Sequence, residues 1–283
     1  MISVLQLGTL DYATGLRLQQ RLVELRKDSR IGDVLLLLEH APVITLGRNA
    51  KAANVLVSPE SLAQHGVEVF ECDRGGDVTF HGPGQIVGYP IFDLRAFPSN
   101  DGKRKTLGAV EYVRRLEEVL IRSCTDFGIP TNRIPGLTGV WTAPGALSSR
   151  PELDDSSANR RVESRGLQFS SEAKIAAIGV HISRGVTSHG FALNVNTDLS
   201  FFDLIIPCGI TAKPVTSMQG ELGKQISLQD VAHSISRNFG MVFQSQILWL
   251  ESLDALLGTS VGVPMKPPAE LRKIRDEEDT AWA

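Results

Sequence analysis

Cysteine is scarce: three residues, at 72, 124 and 208, in a chain of 283, and no two in a CxxC spacing. That scarcity argues against a disulfide framework and against a structural zinc site. Long apolar runs are missing too. The longest, Val34 to Leu38, is far short of the roughly 20 residues that a membrane-spanning helix needs. Neither sign of charge is in large excess, and a formal charge of -3 gives no electrostatic reason for a nucleic acid or an anionic membrane as partner. No basic segment and no Arg-rich transit pattern opens the chain, which enters a strand-like pattern at once through Ile2, Val4, Leu5 and Leu7. The expectation is a cytoplasmic protein with no membrane or nucleic-acid partner. No internal repeat is visible.

What is present is ordinary globular material, 42% hydrophobic and 22% charged. Asp11 to Lys27 reads as an amphipathic helix with Leu18, Leu22 and Leu25 on one face. Val34 to Leu38 is apolar without alternation, as in a strand covered on both faces. Strands are expected at Pro42–Gly47, Val67–Cys72, Asp77–Phe80, Gln85–Leu94, Gly139–Thr142, Lys174–Ser183 and Gly190–Asn196. Leu107 to Phe127 has helical spacing and stops at Gly128 and Pro130, and Ser227-Leu228-Gln229-Asp230 starts a further helix running to about Phe243. The fold class is α/β: a mixed central sheet flanked by helices, in one domain over about residues 1–250. Two stretches stand apart. Residues 143–171 are polar and read as a mobile insertion, and residues 258–283, with three prolines and an acidic run, read as a flexible tail.

Four features are candidates for chemistry. Arg74 to Pro90 reads R-G-G-D-V-T-F-H-G-P-G-Q-I-V-G-Y-P, with neither the dinucleotide-binding nor the phosphate-loop glycine spacing. It is either a pair of β-turns or one wall of a pocket, with Arg74 and His81 at its rim. Cys208 stands between Pro207 and Gly209 after an apolar run and outside any helical period, a setting that suits an exposed thiol; a nearby cation or base would be needed to make it a thiolate. Cys72 and Cys124 fit the role of small buried hydrophobes. Lys174 opens the small and apolar strand K-I-A-A-I-G-V. It is either solvated or, if buried beside Cys208, the group that favours the thiolate. His189 either orients a substrate and moves protons or is a satisfied histidine at a strand edge. His81, His181, His189 and Cys208 are too scattered to make a zinc signature.

Taken in order, R-G-G-D-V-T-F-H-G-P-G-Q-I-V-G-Y-P, G-V-W, K-I-A-A-I-G-V, T-S-H-G-F-A-L-N and I-P-C-G-I closely resemble the lipoyl(octanoyl) transferases, over roughly Leu5 to Phe243. The resemblance implies the fold shared by biotin and lipoate protein ligases. It implies movement of an octanoyl group from acyl carrier protein to a lysine of lipoyl domains, those of 2-oxoacid dehydrogenase E2 subunits and of the glycine cleavage H protein, with no cofactor and no metal. The family pattern places the acyl-thioester nucleophile at Cys208 and the group that lowers its pKa at Lys174. Substrate binding falls on Arg74, Gly75, Gly76, Asp77, Val78, Thr79, Phe80 and His81, on Ala177, Ile178 and Gly179, and on Gly190, Phe191 and Ala192. Phe80 stands where a tyrosine is also common. The insertion, the basic Lys103-Arg104-Lys105 loop and the tail depart from the pattern.

On this reading the Cys208 thiolate exchanges one thioester for another without ATP, the acceptor lysine attacks the acyl-enzyme, and Lys174 takes a proton. Backbone N–H groups near Gly75-Gly76 or Gly179 are the expected oxyanion donors. Ile178 and Phe191 belong to the slot for the alkyl chain. An ATP-dependent lipoate or biotin ligase on the same fold is the main alternative, and Cys208 argues against it. The other is a non-catalytic module that holds lipoyl or acyl-carrier domains.

Overall fold

The computed structural model describes residues 1–99, 105–143, 172–209, 213–260 and 263–264. Most of the expected 143–171 insertion, most of the expected 258–283 tail and two of the three residues of the basic loop lie outside the described residues.

The chain opens with strand β1 (Ile2–Leu10), helix α1 (Tyr12–Lys27) and strand β2 (Asp33–His40). Asp11 caps α1 by accepting from the Thr14 N–H at 2.8 Å, which fixes the start the sequence suggests. After β3 (Val43–Leu46) and the short helix α2 (Pro59–Gln64) come β4 (Glu68–Glu71), β5 (Val78–His81) and β6 (Gln85–Ile91). Helix α3 (Ala109–Asp126) leads to β7 (Thr131–Ile134) and β8 (Leu137–Thr142). Then follow β9 (Lys174–Ser183), β10 (Val186–Asn194), α4 (Met218–Leu222), α5 (Leu228–Val242), β11 (Ile247–Trp249) and α6 (Leu253–Gly258). Ser227 caps α5 through the Asp230 N–H, as its S-x-x-D pattern implies.

Eight strands form one mixed sheet in the order β11-β1-β2-β6-β10-β9-β8-β7. β1 runs parallel to both its neighbours, and the pairs from β2 to β7 are antiparallel. β2 alternates between two cores. Leu35 and Leu37 join the cluster built with α3 and α5, which includes Leu116, Leu120 and Phe239. Val34, Leu36 and Leu38 join the cluster with Leu18, Leu22 and Leu25 of α1. The unalternating apolar run is therefore a strand buried on both faces, as expected.

The glycine-rich β region does not all join this sheet. β4-β3-β5 is a separate three-stranded sheet with its own core of Ile44, Phe80, Phe202 and Ile205. Its β3–β4 pair is parallel and its β3–β5 pair antiparallel. The segment before β5 lies against the large sheet, where the Gly75 N–H donates to the Val180 carbonyl of β9 at 3.0 Å.

Candidate active site

The opening motif divides into two parts with different tasks. Gly82-Pro83-Gly84 is a tight turn, closed by the Gln85 N–H on the Gly82 carbonyl at 3.2 Å. Gly84 has φ +80°, and a Cβ there would stand 2.6 Å from the Asn196 carbonyl oxygen. This half is structural. Gly75 and Gly76 instead line a cavity, together with Arg74, Thr79, His81, Ala177, Ile178, Gly179, Gly190, Phe191 and Ala192. Gly179 makes the close approach possible, because a Cβ there would lie 2.6 Å from the Gly75 carbonyl oxygen.

Asp77, Val78 and Phe80 are not among the residues lining this cavity. Val78 and Phe80 are buried in the small-sheet core, where Phe80 stacks on Phe201 at 4.7 Å between ring centroids. Both Asp77 oxygens accept hydrogen bonds from the chain itself, from the Asn54 side chain and from the Lys51 and Val78 N–H groups.

Arg74 and His81 are not at the rim. Both are buried. Arg74 donates to the Thr45 hydroxyl and carbonyl and to the Asp77 and Gly75 carbonyls, which holds a cation rigidly in the wall. The Gly75 N–H, bonded to Val180, is not free to serve as an oxyanion donor. His81 meets the Gln85 side-chain oxygen at 2.7 Å. The Gln85 amide nitrogen donates to the Phe80 carbonyl and to Asn194 Oδ1, so its oxygen faces the ring and His81 Nδ1–H donates. Asn194 in turn donates to the Thr216 carbonyl, and the Thr216 N–H bonds to the Lys174 carbonyl. One hydrogen-bonded path thus joins the histidine of H-G-P-G to the start of β9.

Lys174 is buried rather than solvated. Its Nζ sits over the Trp141 ring at 4.8 Å from the centroid, a cation–π placement. It lines a second cavity with Thr79, Gln85, Ala177, Ala192, Asn194, Phe202, Val215 and Pro207, the residue before Cys208. Thr79, Ala177 and Ala192 line both cavities, so the two are neighbours along β9 and β10. Cys208 itself lies in the tight turn Pro207–Gly209, packed on β5. The other cysteines behave as expected of structural residues. Cys124 is buried, its thiol pushed up to about 12 by burial, and Cys72 is half-buried beside the Leu46 carbonyl.

The sequence reading missed Tyr12, Val87 and Tyr89, which line the first cavity. It left His189 between two roles, and His189 lines the same cavity at φ +55°. Its Nε2–H donates to Asp73 at 2.7 Å, and its own N–H to the Gln19 side-chain oxygen. His40 donates from Nδ1 to the Leu10 carbonyl and accepts from the Tyr89 hydroxyl at Nε2. No local pattern names the partners of His40 and His189, which lie 30 to 170 positions away.

Burial holds three of these histidines neutral. It lowers His81 to about 3, with the nearby His40 ring disfavouring a second charge, and it lowers His40 and His189 against the pull of their hydrogen bonds. The unfolded chain takes up these protons at about pH 6.5, whereas the folded chain takes them up only at lower pH, His81 not until about 3. The stability they contribute is therefore complete above that pH and is lost as pH falls. Each adds a slope of about 1.4 kcal/mol per pH unit while it stays neutral. Urea midpoints should drop steeply from pH 6.5 to 4.5, and His81→Gln should flatten that drop by about one proton. An unchanged slope would place the acid sensitivity elsewhere.

Among the described residues, no group of three or more His, Cys, Asp or Glu is placed to hold a metal ion, and no helix is long and apolar enough to cross a membrane. The family model described as lipoyl protein ligase A/B catalytic domain matches residues 11–240. An octanoyltransferase of Koribacter versatilis is 57% identical over 98% of both chains. Another, of Acidobacterium capsulatum, is 56% identical over 91% of this chain and 96% of its own. Among solved structures, a bi-partite lipoate protein ligase of Thermoplasma acidophilum, described with its E2 lipoyl domain, superposes with a TM-score of 0.61. It is 17% identical, over 88% of this chain and 86% of its own. A lipoate-protein ligase A bound with ATP gives 0.59 and 17% identity, over 89% of each chain. These two likenesses bear out the fold expected from the sequence.

Proposed function

The chain belongs to the lipoyl protein ligase A/B catalytic family, as a transferase on its octanoyltransferase branch, and from that premise we propose a reaction that runs through an acyl-thioester on Cys208. The donor is octanoyl-acyl carrier protein. The acceptor is a lysine of lipoyl domains, those of 2-oxoacid dehydrogenase E2 subunits and of the glycine cleavage H protein, in the cytoplasm. Residues 1–250 form the catalytic domain.

The observation that carries this reading is the shared cavity of Lys174 and Pro207, next to a slot lined by Ala177, Ile178, Phe191 and Ala192. The Lys174 ammonium favours the Cys208 thiolate. The thiolate attacks the octanoyl carbonyl, the C–S bond to the carrier breaks, and the departing thiolate takes a proton from Lys174. The acceptor amine then attacks the new thioester and forms the amide. Its proton returns to Lys174, and Cys208 leaves as thiolate. Atoms and charge balance without ATP, because one thioester replaces another before the amide forms. Each methylene buried in the slot adds about 0.8 kcal/mol to binding. Arg74, held without freedom to swing, contributes positive charge where the oxyanion develops.

The test is an intact-mass measurement after mixing with octanoyl-acyl carrier protein in the absence of ATP. A gain of one octanoyl group, mapped to the peptide holding Cys208, is the expected result. No gain, with transfer appearing only when ATP and a free acid are supplied, would make the chain a ligase instead.

A further inference from the structure

The turn that carries Cys208 is held by a clamp remote in sequence. Asn54 ends the tight turn Ala52–Asn54, and its carbonyl accepts from the Ile206 N–H at 2.8 Å, two residues before Cys208. Beside it Val55 and Ile205 form an antiparallel bridge, and the Leu56 N–H bonds to the Leu204 carbonyl. The Asn54 side-chain amide donates to Asp77 Oδ2 at 2.5 Å, while Asp77 Oδ1 takes the Lys51 and Val78 N–H groups. Gly209 closes the arrangement. It has φ +66°, and a Cβ there would stand 2.9 Å from Asp77 Oδ2 and 3.5 Å from Asn54 Nδ2. The backbone of the turn therefore rests directly on the Asn54–Asp77 pair.

We infer that Asn54 is a positioning residue for acyl transfer, acting through the Cys208 turn, and that Asp77 is its anchor rather than a substrate ligand. The inference rests on Cys208 being the acylated group. Asn54 and Asp77 are both half-buried, so little apolar packing depends on them. The position of the turn does depend on them, and a shift of about 1 Å at a reacting group costs on the order of 100-fold in rate.

Four full-length variants test this: Asn54→Ala, Asn54→Asp, Asp77→Asn, and the double variant Asn54→Asp with Asp77→Asn. Single-turnover acylation by octanoyl-acyl carrier protein should slow by roughly 10- to 100-fold in Asn54→Ala and at least as much in Asn54→Asp, which sets two carboxylates face to face. Asp77→Asn keeps an oxygen for the two backbone N–H groups and should lose less. The double variant can remake all three hydrogen bonds, with donor and acceptor exchanged only between residues 54 and 77, and should recover to within about fivefold of wild type. Thermal midpoints should stay within a few degrees throughout. Wild-type acylation rates in Asn54→Ala and Asn54→Asp, or losses that follow the thermal midpoint with no recovery in the double variant, would overturn the inference. Alkylation of Cys208 by iodoacetamide, mapped by mass, needs no acyl donor. If wild type forms no octanoyl adduct the transfer reading fails, while the alkylation ratios among the variants still decide the clamp.

Discussion

A Cys208→Ala variant is expected to take up no octanoyl group and to transfer one at least ~1000-fold more slowly than wild type. Cys208 sits in a turn of three residues rather than in a long helix or strand, and alanine keeps its Cβ, so the thermal midpoint should stay nearly unchanged. Retained transfer with a normal fold would move the nucleophile to another group or dispense with one. Lys174→Met is the companion variant. It keeps a long apolar stem against Trp141 but removes the cation seated over the ring. Transfer should fall by about 100- to 10,000-fold, the range for a positioned acid–base group. Alkylation of Cys208 at neutral pH should slow, with its rate-versus-pH curve displaced to higher pH. The same curve in Lys174→Met and wild type would mean that the two groups are not electrostatically coupled.

Glu117→Ala should cost about 2–4 kcal/mol of stability, lowering the thermal midpoint by roughly 5–15 °C for a domain of this size. The Glu117 side chain is fully buried on α3, where it accepts from Arg114 and Arg133 and from the Gly139 N–H of β8. The two arginines are 48% and 33% exposed, so water can take them back, which keeps the cost below that of breaking a fully buried pair. The Gly139 N–H has no such escape. Glu117→Gln keeps an oxygen for that N–H and should lose about half as much. Because Gly139 stands two residues before Trp141, the alanine variant should also loosen the surface on which Lys174 rests, so activity should fall at temperatures where the protein remains folded. Urea unfolding paired with activity at 20 °C separates the two effects.

The long helices were legible because a 3.6-residue apolar period is written locally, and α1, α3 and α5 all lie where that period and their caps put them. The buried β2 was legible for the same kind of reason, an apolar run bounded by turns. The separate β4-β3-β5 sheet was not, since alternation marks a strand without naming its partner. Glu117 left a trace that was not used. It lies in phase with Leu120 and Cys124, and a charge on a buried stripe implies a partner. Asp73 with His189, 116 residues apart, left no local trace. Ala177, Ile178 and Gly179 could be assigned to the site through family resemblance, whereas Tyr12 and Asn54 had no motif around them. The clustering of polar groups in one wall exists only after β6, β9 and β10 have paired.

Gly190 extends that dependence to folding itself. A Cβ at this position would run into the Gly88 carbonyl oxygen of β6 and stand 2.6 Å from Pro90 Cδ. A slip of one residue in the β6–β10 pairing would bring His189 or Phe191 to the spot where only a hydrogen fits. The glycine thus works as a register key, rejecting misaligned sheets by collision rather than by weaker attraction. Since β10 pairs with β9 from Val186 to Leu193, the rejected alignments would be the ones with a misshapen acyl slot. Sheet assembly and slot assembly are then a single event, and molecules that complete the sheet should emerge active without a slower maturation step.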